Sequence, residues 1–370
     1  MDHPPTDLRR SLLPLSWLYG FGVKLRNKLY DSRILKQKKY DIPIICVGNL
    51  TVGGTGKTPH VEYLVELLSS RYNVAVLSRG YKRKSNGFVE VRTDSTVAEV
   101  GDEPLQIKQK FPQILVVVDK NRNNAIEKML QLPDERKPDV ILMDDGFQHR
   151  SVAPSLSILL VDSNRPVYED KLLPAGNLRE PLSEKNRAAI VVVTKCSPTM
   201  QPIDFRIYSN EMDLYPYQSL YFTSFDYGNL KPVFPESGLE EIGLNDLRKK
   251  HVMLVTGIAS PQLLVEKLEK QTYNLYPLFF PDHHDFDEKD IETIQKQLAA
   301  IEDDDKIIVT TEKDAVRLRA YAKLDQELKS LLYYVPIQVK FMEKSKKESF
   351  NKKINHHVRN YKTNQRLSKK

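Results

Sequence analysis

The sequence predicts an α/β protein with a mainly parallel sheet, helices on both faces, and a smaller second α/β lobe. Three observations carry that reading. First, the runs IPIICVGN, NVAVLSRG, ILVVVD, DVILMDDG, LSILLVD and AAIVVVTKC are short, β-branched and almost wholly apolar, as strands buried on both faces should be. Second, helical stretches such as HVEYLVELLSSRY and NRNNAIEKMLQ alternate with them, which argues a parallel sheet covered on both sides. Third, the α/β pattern resumes after residues 215–235, where the texture turns to aromatics, Pro and Gly. With 370 residues, 40% hydrophobic and 28% charged, the chain is long enough for two such units and has an ordinary globular composition.

Taken in order, residues 1–40 form an N-terminal region in which Leu18, Phe21, Leu25 and Leu29 share one face of a helix over 15–33. Lys24 and Lys28 fall on another face, and Trp17 and Tyr30 lie near the ends. Two readings fit this amphipathic pattern, a helix resting on anionic lipid and a helix docked on its own domain. The opening MDHPPTDLRRSLLPLSW carries early acids and lacks a small-residue cleavage site, so it is not read as a secretion signal. No run reaches the roughly 18 apolar residues of a membrane-spanning helix. The first lobe is expected over 41–220 and the second over 221–343, where HVMLVTGIA, PQLLVEKLEKQ, YNLYPLFFPDHHDF, DEKDIETIQKQLAAI and KIIVTTEKD alternate strand and helix. Residues 344–370 carry few apolar side chains and are predicted to be disordered without a partner.

Charge is unevenly spread. Residues 344–370 have a net charge of +9 and residues 1–40 of +6, which leaves 41–343 at −8 against +7 overall. Any anionic surface is therefore expected to meet the two ends. Cys46 and Cys196 are the only thiols, too few for a disulfide framework or a metal cluster.

The chemistry-bearing motifs sit where strands end. TVGGTGKTPH at 51–60 departs from the standard phosphate loop, G-x-x-x-x-G-K-[ST], by one residue. Gly56, Lys57 and Thr58 supply its second half. Thr51 stands at the first glycine position, and Gly53 and Gly54 compensate in the form G-G-x-G-K-T. Glycines let backbone N–H groups of Thr51, Val52, Gly53, Gly54, Thr55 and Gly56 converge on an anion, and the following helix adds its positive end. Lys57 would reach the β and γ phosphates of a nucleotide and Thr58 would bind Mg²⁺, which makes the fold of P-loop NTPase type. DVILMDDGFQH at 139–149 ends a buried strand in two acids, the expected partner for the metal.

Other motifs are more open. GDEP at 101–104 offers Asp102 as a general base, yet its chemistry does not separate it from Glu99 or Glu103. PDHHDF at 281–286 contains adjacent histidines without the spacing of a metal motif. SRGYKRK, Arg122 in DKNRNNA, and LPAGNLREP place arginines after strands, on a rim suited to phosphate recognition.

In this order, GNLTVGGTGKTP, LSRGYKRK, GDEP, DDGFQH, LPAGNLREP, FPDHHDF and TTEKDAVRL resemble the tetraacyldisaccharide 4′-kinase family of the lipid A pathway, over about residues 15–340. The resemblance implies transfer of the γ-phosphate of ATP, with Mg²⁺, to the 4′-hydroxyl of a tetraacylated, 1-phosphorylated glucosamine disaccharide. It further implies two lobes with the site in the cleft between them, and a peripheral protein on the cytoplasmic face of a bacterial inner membrane. Carried over by position, Lys57 and Thr58 hold phosphate and metal. Asp102 matches the base, assisted by a second-lobe histidine for which His283 is preferred to His284. Asp144, Asp145, Glu103 and Glu180 match the acidic set around the metal, and Arg79, Tyr81, Arg122, Gln148, His149 and Arg179 match the nucleotide and disaccharide-phosphate lining. The expected partners are the lipid substrate and an anionic membrane surface, met by a monomer through helix 15–33 and the basic tail, and no nucleic acid.

Two rivals are less well served. A G-G-x-G-K-T switch GTPase or metallochaperone often carries Lys where this chain has Val52, and a guanine-reading [NT]-K-x-D where TKCS ends in Ser197. A nucleic-acid binder using the tail would want more aromatics there than Phe350 and Tyr361.

Overall fold

The computed structural model describes residues 9–282, 284–321 and 324–368, with side chains up to 361. After α1 (Leu13–Asp31) the chain enters β1 (Ile44–Asn49), all six residues of which are buried. It continues through α2 (Lys57–Ser69), β2 (Val74–Ser78), β3 (Val89–Glu90), α3 (Val97–Val100) and α4 (Asp102–Lys110). Then follow β4 (Leu115–Val118), α5 (Arg122–Leu130), β5 (Val140–Asp144), β6 (Leu156–Asp162), β7 (Ile190–Thr194), α6 (Pro202–Met212) and β8 (Ser219–Tyr227).

The second lobe comprises β9 (Lys231–Pro232), β10 (His251–Thr256), α7 (Gln262–Glu269), β11 (Asn274–Phe279), α8 (Glu288–Ala299), β12 (Lys306–Thr311), α9 (Glu312–Ala320), α10 (Gln326–Lys329) and β13 (Leu332–Val335). The chain then returns through β14 (Ile337–Phe341) and ends in α11 (Lys344–Ser368).

Nine strands form the first sheet in the order β14-β8-β7-β6-β1-β5-β2-β4-β3, and five form the second in the order β11-β10-β12-β13-β9. The sheet interior is parallel, and β1 lies between β5 and β6. Strand period sorts its side chains: Ile45 and Val47 pack with Val61, Leu64, Val65 and Leu68 of α2, whereas Ile44 and Cys46 pack with Ala125, Ile126 and Met129 of α5. Each such side chain withdrawn from water contributes about 1.5–3 kcal/mol. Burial on both faces is why the strands read as unbroken apolar runs.

The structure corrects two expectations. The aromatic segment near residue 220 does not open the second lobe, because β8 pairs in parallel with β7 and remains in the first sheet. The lobe leaves after Tyr227 and returns at Ile337, where β14 lies antiparallel to β8 and Gly228 N–H donates to the Pro336 carbonyl at 3.0 Å. Nor is the basic tail disordered over Lys344–Ser368. Phe350, Ile354 and Val358, spaced by four, bury one stripe of α11 in the same apolar cluster as α2. Surrounding charge hides that stripe in the sequence.

Candidate active site

The glycine loop is built by backbone demands. Gly53 and Gly56 have φ of 95° and 80°, the left-handed region that side chains with a Cβ rarely enter. A Cβ on Gly56 would also stand 2.8 Å from Phe225 Cζ. Asn49 Nδ2 donates to Thr55 Oγ1 at 2.9 Å, Thr194 Oγ1 donates to the Thr55 carbonyl at 2.9 Å, and Val52 N–H donates to the Asn177 carbonyl at 2.8 Å. Behind the loop the His60 ring lies 2.7 Å from the Gly56 carbonyl and 3.1 Å from Thr223 Oγ1. Burial holds His60 neutral, with its pKa lowered to about 4 against the weaker opposing pull of the Gly56 carbonyl. The loop is thus clamped, and α2 begins at Lys57 with its N-terminus toward the cavity.

A cavity of about 460 Å³ opens between the lobes, within the usual range for small-molecule clefts. Thr51, Val52, Gly53, Gly54, Thr55, Gly56, Lys57 and Thr58 line it, as do Arg79, Tyr81, Glu103, Asp145 and Arg179. The second lobe contributes Ile258, Asp282, Glu312 and Lys313. Lys57 Nζ lies 3.8 Å from Asp145 Oδ1, and Arg179 donates to the same carboxylate at 3.0 and 3.3 Å. Burial works against ionisation of Asp145, but Lys57 and Arg179 overcome it and hold the acid well below the usual carboxylate range.

Its neighbour Asp144 behaves oppositely. Burial, with Glu103 and Asp145 close by, pushes it well above that range. Its Oδ1 is buried without a hydrogen-bond partner, while Oδ2 accepts from Ser78 Oγ at 3.4 Å. An unpartnered carboxylate oxygen close to two further acids fits a divalent cation, which would satisfy the oxygen and cancel the repulsion. Among the described residues no group of three or more His, Cys, Asp or Glu is placed to hold a metal ion by itself, so a cation here would need ligands from phosphate and water as well. That matches the way Mg²⁺ is held, by one or two carboxylates together with phosphates and water.

The other expected residues stand behind the wall. Arg122 is fully buried and donates to the carbonyls of Asp119 and, at 3.4 Å, Asp144, so it braces the end of β5. Gln148 Nε2 donates to the Asn49 carbonyl at 2.8 Å, and burial lowers His149 to about 4. Glu180 is not brought to the cavity wall. Its oxygens accept from Arg187, from Asn27 at 3.4 Å and from Gln148 at 3.4 Å, which fastens α1 to the loops instead. The same helix end receives Arg150, and Tyr19 Oη donates to the Arg179 carbonyl at 2.9 Å.

Asp102, at the start of α4, is buried just behind Glu103. Its Oδ1 accepts from Glu103 N–H at 2.9 Å and its Oδ2 pairs with Arg317 of the second lobe. His283 lies outside the described residues. His284 Nε2 is 2.7 Å from Asp290 Oδ2 and the ring stacks on Phe280 at 4.8 Å, a position committed to the start of α8. The residues missed in the sequence are Asp282, Glu312, Lys313 and Arg317. Lys313 sits 3.5 Å from Glu103, 3.6 Å from Asp282 and 4.0 Å from Asp102. TTEKD closing β12 was a usable signal, since charged residues at a parallel strand's carboxyl end line such clefts.

Fold and cleft together define a P-loop nucleotide-binding protein whose second lobe closes one side of the site. The chain belongs to the tetraacyldisaccharide-1-P 4′-kinase family (LpxK), whose family model matches residues 8–358. It is similar to the tetraacyldisaccharide 4′-kinase of Phocaeicola vulgatus, at 49% identity over 362 residues covering 98% of either chain. It is likewise similar to that of Bacteroides thetaiotaomicron, at 46% identity covering 100% of this chain and 98% of the relative. Among solved structures, LpxK from Aquifex aeolicus in complex with ATP matches with a TM-score of 0.72 and 31% identity, over 95% of this chain and 99% of that one.

Proposed function

We propose that this chain transfers the γ-phosphoryl group of ATP to the 4′-hydroxyl of tetraacyldisaccharide 1-phosphate, forming lipid IVA in lipid A biosynthesis. The observation that carries it is the facing of two charged sets across one cleft: Lys57, Glu103, Asp145 and Arg179 from the first lobe, and Asp282 and Lys313 from the second. The loop N–H groups and the α2 N-terminus receive the β and γ phosphates. Lys57 moves from Asp145 to the phosphate oxygens, leaving that carboxylate to Arg179. Thr58, Asp144, Asp145 and Glu103 would hold Mg²⁺, which when bound neutralises developing phosphate charge.

The acceptor oxygen attacks the γ-phosphorus in line, the bond to the β-bridging oxygen breaks, and the hydroxyl proton passes to Asp102. Positioning and charge neutralisation supply most of the catalysis, because the sugar hydroxyl is a weak nucleophile. We assign His283 to assist Asp102, and Arg79, Tyr81 and Arg179 to phosphate recognition. Arg122, Gln148 and His149 support that wall from behind.

We further propose that the enzyme meets its lipid substrate at an anionic bilayer surface through α1. This helix docks by Ser16, Gly20 and Asn27, its small and polar face, and leaves Trp17, Leu18 and Phe21 about 70% exposed. An outward apolar face on a docked helix supports this reading. Among the described residues no helix is long and apolar enough to cross a membrane. The decisive experiment combines purified protein, labelled ATP, Mg²⁺ and the disaccharide monophosphate in mixed micelles. Label on the sugar at the 4′ position is expected. Transfer with GTP but not ATP, or hydrolysis with no labelled lipid, overturns the reading.

A further inference from the structure

A forked guanidinium ties the second lobe to Asp102 of the first. Arg317 on α9 is buried, and one terminal nitrogen donates to Asp314 Oδ1 at 2.8 Å while the other donates to Asp102 Oδ2 across the cleft. Asp314 is itself immobilised. Its Oδ2 accepts from Thr256 Oγ1 at 2.9 Å, from Gly257 N–H at 3.0 Å and from Thr311 Oγ1 at 2.7 Å, and its own N–H donates to Thr311 Oγ1 at 3.1 Å. A line of fixed groups therefore runs from the carboxyl ends of β10 and β12, through Asp314 and Arg317, to Asp102.

The cost of this arrangement is informative. Taking two charges out of water is expensive, and an apolar contact would join α4 to α9 at least as firmly. What a planar fork adds is direction, because both nitrogens must be met in one plane. Further junctions join α4 to α9 along their length: Lys313 lies 3.5 Å from Glu103, Lys110 pairs with Glu312 at 3.0 Å, and Arg319 donates to Gln109 at 2.9 Å. Arg317 makes the closest contact to Asp102 at the start of α4, and Lys313 Nζ stands farther off, 4.0 Å from the same oxygen.

We propose that Arg317, held by Asp314, is the positioning residue that sets the Asp102 carboxylate toward the acceptor hydroxyl, so that the base is assembled only when the second lobe is seated on the first. This inference rests on the reading of Asp102 as proton acceptor. Each carboxylate oxygen keeps a further lone pair, so accepting from Arg317 and from Glu103 N–H leaves Asp102 ionised and with a site for the hydrogen bond of the acceptor hydroxyl.

The test compares full-length wild type with Arg317→Met, Arg317→Ala, Arg317→Lys and Asp102→Asn, by steady-state kinetics and by separate binding of a fluorescent ATP analogue. Arg317→Met is expected to lower kcat by about 100-fold while KM for ATP stays within about threefold, as misplacement of a reacting group does. Arg317→Lys, which keeps the charge without the fork, should lose about tenfold, and millimolar guanidinium should restore part of the Arg317→Ala activity. Should Arg317→Met fail to fold, Arg317→Lys and its kcat-to-KM split decide the matter alone. Unchanged kcat in the folded variants, or a loss carried equally by ATP binding and without guanidinium rescue, overturns the inference. If Asp102→Asn retains near-wild-type turnover, the assignment of the base fails. If Asp102→Asn is inactive while Arg317→Met is fully active, only the role of Arg317 fails.

Discussion

At the scale of single residues, the site divides into groups whose position the backbone dictates and groups placed by distant partners. Gly56 belongs to the first kind, and Gly56→Ala combines a strained φ with a 2.8 Å clash on Phe225. Strain of that kind costs about 1–3 kcal/mol, so ATP affinity measured by titration should fall about tenfold or more. Unaltered affinity would remove the loop from phosphate binding. Asp102→Asn should lower kcat by about 10²–10⁴-fold and leave ATP binding intact, the range expected for loss of a general base. The placement of Lys57, Thr58, Asp144 and Asp145 at strand ends was legible because strand, turn and helix follow one another directly in the chain. Arg317 was not, since its partner lies 215 positions away and no local period announces such a pair. Glu180, expected among the metal ligands, has its oxygens engaged by Asn27 from α1 and by the nearby Arg187, and the first of these partners is likewise invisible to local pattern.

At the scale of elements, α2 and α11 make separate predictions. His60 on α2 has a folded pKa near 4 against about 6.5 when unfolded, so the unfolded state binds the extra proton between those values. Stability is therefore fully present above pH 6.5 and is lost as pH falls toward 4, by about 3 kcal/mol. His60→Gln should flatten the fall of melting temperature across that window, and an unchanged slope would assign it elsewhere. Ile354 of α11 is wholly buried, and Ile354→Ala should cost about 2–5 kcal/mol in denaturant unfolding. A loss below about 0.5 kcal/mol would mean the helix does not cover the core in solution. The buried strands were legible in the sequence through their continuous apolar runs. The helix over Lys344–Ser368 was not, because its apolar stripe is three residues wide in a field of lysines.

For the whole molecule, the two lobes and the outward face of α1 set the prediction that matters most. Trp17→Glu combined with Phe21→Glu should abolish most co-sedimentation with anionic vesicles and leave ATP binding unchanged, each lost apolar insertion being worth about 1.5–3 kcal/mol. Full retention on vesicles would move the membrane contact to another surface. Charge reversal is the better probe of α11, where each lysine near anionic lipid adds about 1 kcal/mol, since deletion would open the core as well. The alternation of strands and helices made both lobes visible in the sequence. The handover between them was hidden, because β8 looks like neither neighbour. The return of the chain through β14 has a further consequence for the order of synthesis. The middle lobe is complete when Val335 emerges, yet the edge of β8 and the face awaiting Phe350, Ile354 and Val358 stay open until the last helix is made. A nascent chain thus finishes its guest before its host, and spends that interval displaying the bare strand edge and apolar surface that chaperones recognise.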